Sequence, residues 1–68
     1  MERKHYSFEG CGGLKIYGAT IYQGWLSESD MITVAQGIVI GLRQYCKGAT
    51  VRVYEEINDT WHLVRVQE

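Results

Sequence analysis

The sequence predicts an α+β fold: a single two-layer domain over residues 1–68, in β-β-α-β-β order, with one helix at about 28–47 packed on an antiparallel sheet. Three observations carry this prediction. Apolar residues recur at helical spacing between Met31 and Tyr45. β-Branched and aromatic residues concentrate before and after that stretch. Asn58-Asp59 divides two valine-rich runs, which is the pattern of a two-residue hairpin.

The elements follow in chain order. Residues 3–9 alternate, with Tyr6 and Phe8 on one face and His5 and Ser7 on the other, as in a short strand. Gly10-Cys11-Gly12-Gly13 reads as a hairpin turn into a second strand at 14–23. There Leu14, Ile16 and Tyr22 share one parity, and Tyr17, Ala19 and Ile21 the other. A bulge at Gly18 is expected to switch the face partway. Gly24-Trp25-Leu26 then leads out of the sheet.

Ser27-Glu28-Ser29-Asp30 opens the helix: either serine can cap it, and the acids oppose its positive end. The helix is expected to reach Cys46, with Arg43 and Lys47 near its negative end and Gly48 just past it. At 100° per residue, Met31, Ala35, Ile38, Leu42 and Tyr45 form the stripe that packs on the sheet. Val34 flanks the stripe on one side; Ile32, Val39 and Cys46 extend it on the other.

The second hairpin joins 50–57 to 60–67. Its loop pairs Ile57 with Thr60, Glu55 with His62, Val53 with Val64 and Val51 with Val66. With the valines inward, Arg52, Tyr54, Glu56, Trp61, Leu63 and Arg65 point outward, and Arg52 lies opposite Arg65.

Composition narrows the function. Seven Lys plus Arg against eight Asp plus Glu give a net charge of −1, a poor footprint for duplex DNA. Residues 1–13 hold no apolar run, and the longest apolar or glycine stretch, Gly37–Leu42, falls far short of the ~20 residues that span a bilayer. The expectation is a cytoplasmic chain without a membrane segment. Cys11 and Cys46 make no disulfide framework, and no C-x-x-C or H-x-x-x-H is present, so neither metal nor cofactor is expected. His62 beside Glu55 can orient a general base, but no third group converges with them. Gly10–Gly13 lacks the strand–loop–helix setting of a phosphate loop. No catalytic residue is assigned.

Two surfaces remain. On the back of the helix, Gly37 and Gly41 each cost ~1 kcal/mol relative to alanine, beside Ile40 and Gln44. Either a second copy or a partner strand approaches closely there, or the glycines seat an aromatic such as Trp25 within the fold. The outward hairpin face offers Arg52, Tyr54, Trp61, Leu63 and Arg65, a composition typical of protein interfaces. The sequence therefore points to a small non-enzymatic protein-binding module, an inhibitor, adaptor or regulator, acting as a homodimer. The alternative is single-stranded nucleic-acid binding, with bases stacked on Tyr54 and Trp61 and phosphates held by Arg52 and Arg65.

Overall fold

The structure, a computed structural model, describes residues 2–12 and 19–68. Its elements are β1 (Lys4–Cys11), β2 (Ala19–Leu26), α1 (Glu28–Arg43), β3 (Thr50–Ile57) and β4 (Thr60–Gln67). The order is β-β-α-β-β, and the strands form one antiparallel sheet in the order β2-β1-β3-β4. Each hairpin makes neighbours of its own two strands, and the hairpins meet along β1 and β3. Helix α1 carries the chain from edge strand β2 over one face to the interior strand β3. The two interior strands supply the largest fully buried side chains, Tyr6 and Phe8 from β1 and Val51 and Val53 from β3.

The first hairpin extends further than its glycines suggest. Gly10 pairs with both Ala19 and Val51, and Cys11 pairs with Thr50, so neither belongs to the turn. Strand β1 is bonded on both sides, and that double ladder outweighs the turn preference of glycine. Gly24, Trp25 and Leu26 likewise stay in the sheet, opposite Tyr6, His5 and Lys4. Strand β2 changes face where Phe8 pairs with Tyr22 but Glu9 pairs with Thr20, leaving Ile21 as the extra residue. Residues 14–18 of the expected strand, including the expected bulge at Gly18, lie outside the described residues.

Ser27 is the helix cap: its Oγ accepts from the Asp30 N–H at 3.2 Å. The helix stops at Arg43 rather than Cys46. Its end tightens, with the Gln44 N–H bonded to Gly41 O and the Tyr45 N–H to Leu42 O. Arg43 Nε donates to Ala49 O at 3.0 Å, and Gly48 takes φ 82° as the chain turns back into β3. The chain leaves the helix through this tightened turn, which the Arg43–Ala49 bond ties to the start of β3. Tyr45 therefore leaves the predicted core stripe and is 90% exposed. The stripe centres on Met31, Ala35 and Val39, with Leu26, Ile32, Val34, Ile38 and Leu42 packed around it.

In the second hairpin, Asn58 and Asp59 take φ 52° and 63°, the left-handed pair that a type I′ turn requires. Ile57 pairs with Thr60 and Glu55 with His62, as expected. The register then breaks: Tyr54 pairs with Leu63 but Val53 pairs with Arg65, leaving Val64 over. The expected pairs Val53–Val64, Val51–Val66 and Arg52–Arg65 do not form; Arg52 faces Val66 and Val51 faces Gln67. A one-residue slip exchanges the two faces of a strand. Arg65 accordingly turns to the helix side of the sheet, where its Nε donates to Gln67 Oε1 at 2.9 Å. The slip also removes a like-charge pair, Arg52 opposite Arg65. Among the described residues, no helix is long and apolar enough to cross a membrane.

Candidate functional site: the open face of the sheet

Helix α1 covers one face of the sheet, and among the described residues no element packs on the other. Directly opposed residues in antiparallel strands point to the same side, so the pairing defines rows across the bare face. The first row runs Trp25, His5, Glu56, Trp61, through the pairs Trp25–His5 and Glu56–Trp61. The His5 and Glu56 side chains join the two halves, with Nδ1 to Oε1 at 2.8 Å. The His5 ring lies flat on Trp25, with centroids 4.9 Å apart and planes 8° from parallel, and is tilted against Trp61 at 5.1 Å. The second row is Gln23, Ser7, Tyr54, Leu63. The third is Thr20, Glu9, Arg52, Val66.

A hollow of about 330 Å³ opens among these rows, lined by Ser7, Glu9, Thr20, Gln23, Tyr54 and Trp61. Tyr54 Oη donates to Glu9 Oε1 at 3.1 Å, and Arg52 Nη1 stands 3.8 Å from the same oxygen. Burial, reinforced by this bond to Glu9, raises the Tyr54 hydroxyl pKa above its ordinary value and keeps it a donor. Around the hollow the face is apolar: Trp25 is 61% exposed, Leu63 53%, Val66 49% and Trp61 40%.

Arg52, Tyr54, Trp61 and Leu63 from the predicted site share this face; Arg65 does not. His5, Ser7, Glu9, Thr20, Gln23 and Trp25 complete it and lie outside the predicted site. The alternation of β1 set His5 and Ser7 opposite Tyr6 and Phe8, but nothing local showed that β3 would lie beside them. Glu55 and His62 are cross-strand neighbours as expected, on the helix side of the sheet. The Glu55 carboxylate meets Lys4 at 3.6 Å, and on the open face His5 meets Glu56 at 2.8 Å.

The other predicted residues lie on the far side of the molecule. Ile40 is 65% exposed, and Gln44 is the exposed C-cap. A Cβ placed on Gly37 or Gly41 would meet nothing within 4 Å. Trp25 sits on the open sheet face against His5, so these glycines do not seat it.

The thiols of Cys11 and Cys46 are not joined as a disulfide, and the Cys46 thiol donates to Gly12 O at 3.0 Å. Among the described residues, no three His, Cys, Asp or Glu side chains are grouped to hold a metal. The hollow offers an indole, hydroxyls, an amide and a carboxylate, groups that hold a partner by stacking and hydrogen bonding. Comparison with known proteins finds no family model, curated protein or solved structure that matches this chain, so the site is read from its own residues.

Proposed function

We propose that this chain is a non-enzymatic protein-binding domain, an inhibitor, adaptor or regulator that docks its partner on the open face of the sheet. One observation carries the reading: exposed Trp25, Trp61, Leu63 and Val66 surround a polar hollow on a face the helix leaves bare. Large exposed apolar patches mark interaction sites, and tryptophan, tyrosine and arginine dominate binding energies. Trp25 is held by its stack on His5, which Glu56 fixes in turn. Docking therefore loses little side-chain freedom. The two longer extents of the molecule, 34 and 21 Å, bound a face of about 700 Å², close to the ~800 Å² each partner contributes to a standard interface.

Charge favours a protein over a nucleic acid. The face carries Glu9 and Glu56 against Arg52, and Arg65 is turned to the other side. Phosphates laid along it would meet carboxylates. Thiols at Cys11 and Cys46 suit a reducing, cytoplasmic setting.

The test compares wild type with two surface variants, Leu63→Asp on the open face and Ile40→Asp on the helix. A partner is captured from host extract, purified, and titrated by calorimetry. Leu63→Asp should abolish binding with the circular dichroism spectrum intact, and Ile40→Asp should bind as wild type. Undiminished binding by folded Leu63→Asp would refute the open-face reading. Tryptophan quenching by an oligonucleotide mix that weakens steeply with salt would favour nucleic acid instead.

A further inference from the structure

We infer that the hollow beside Trp61 is the anchor point of this interface, and that it receives the guanidinium of an arginine side chain from the partner protein. The inference rests on the open-face reading and names the group the partner presents. Among the described residues, Glu9 is the one charged residue of the six that line the hollow. Among the described residues the partners of its carboxylate gather on one oxygen: Tyr54 Oη at 3.1 Å, Arg52 Nη1 at 3.8 Å and Cys11 Sγ at 3.7 Å all meet Oε1. The other oxygen, Oε2, is the one assigned to the ligand, and Arg52 does not line the hollow.

The rest of the lining selects among cations. Ser7, Thr20 and Gln23 supply further acceptor oxygens, and Trp61 supplies an indole face. A guanidinium uses both, since its planar fork of donors matches a carboxylate while its face stacks on an aromatic ring. An ammonium is also drawn to an indole face, but as a compact point charge it can neither fork onto a carboxylate nor lie flat on the ring. A neutral group forfeits the charge of Glu9, and an anion is opposed by it. The size fits: about 330 Å³ lies at the lower end of ligand sites, roughly 300–1,000 Å³, room for one long side chain.

The experiment titrates the intact chain with N-acetyl-arginine amide, followed by amide and indole NMR shifts. Blocked citrulline (the same shape without the charge) and blocked lysine serve as comparisons. Saturable shifts should concentrate on Ser7, Glu9, Gln23, Tyr54 and the Trp61 indole, with citrulline and lysine weaker by about tenfold. Glu9→Gln keeps an acceptor for Tyr54 and should lower arginine affinity by about tenfold; Trp61→Leu should lower it independently. The inference is overturned if arginine amide causes no shifts at tens of millimolar, if citrulline or lysine matches it, or if folded Glu9→Gln binds as wild type. Should Leu63→Asp still abolish partner capture while arginine amide causes no shifts, the anchor falls and the interface stands.

Discussion

Replacing Gly37 and Gly41 together by alanine is expected to stabilise the isolated chain. Both lie in α1 with open space where a Cβ would go, so the new methyl groups meet no neighbour within 4 Å. Alanine also narrows the unfolded ensemble. In a helix interior the exchange is worth about 0.8–1.0 kcal/mol. Gly37 sits mid-helix and should give about that full amount. Gly41 lies in the last turn, where the helix frays, and should give about half. The sum is about 1.5 kcal/mol. A 68-residue chain is expected to have about 3–10 kcal/mol of total stability, so the gain is a large fraction. Thermal midpoint should rise by about 6–12 °C. Urea unfolding followed by circular dichroism gives the free-energy change directly, with an unchanged m-value. A gain under about 0.5 kcal/mol, or any loss, would refute the reasoning, because it would mean that something seats against these glycines within one chain. Light scattering on the same pair of proteins tests the homodimer. A wild-type dimer that the alanines convert to monomer assigns the glycines to close approach of a second copy. Strict monomers at tens of micromolar end that reading.

Two further expectations concern the fold. Phe8 is fully buried between sheet and helix, and Phe8→Ala should cost about 3–5 kcal/mol, enough to leave much of so small a chain unfolded in dilute buffer. Alkaline pH should unfold the protein through its tyrosines. Burial raises the hydroxyl pKa of both Tyr6 and Tyr54, with the charge of Glu55 adding at Tyr6 and the bond to Glu9 adding at Tyr54. The folded chain keeps protons that the unfolded chain releases near the ordinary tyrosine value of about 10. Stability from this source is therefore full below about pH 10 and falls as the pH rises through the folded-state values. Lys4, raised by Glu55, acts in the same direction. Urea midpoints measured across this range should fall less steeply in Tyr54→Phe; an unchanged slope would count against the Tyr54 assignment.

What the sequence by itself determined lies within one element or one tight turn. Alternation placed Tyr6 and Phe8 on a common face, and both are core. Asn58-Asp59 set the I′ turn and the first pairs of the second hairpin. The serine–acid run marked the helix start, and Arg52, Tyr54, Trp61 and Leu63 were legible as one surface because the turn next to them fixes their register. The tertiary structure decided the rest. The bulge at Val64 turned Arg65 away, and the turn back into β3, tied by the Arg43–Ala49 bond, ended the helix before Tyr45. Above all, the pairing of β1 with β3 brought His5 to Glu56 and Glu9 to Arg52 and Tyr54. A two-residue or 3.6-residue period is enforced by backbone geometry and can be read in place. Which hairpins become neighbours depends on contacts between residues some 45 to 51 positions apart, and where one residue drops from a ladder depends on how both faces of the strand pack. The hollow exists only where those distant segments meet.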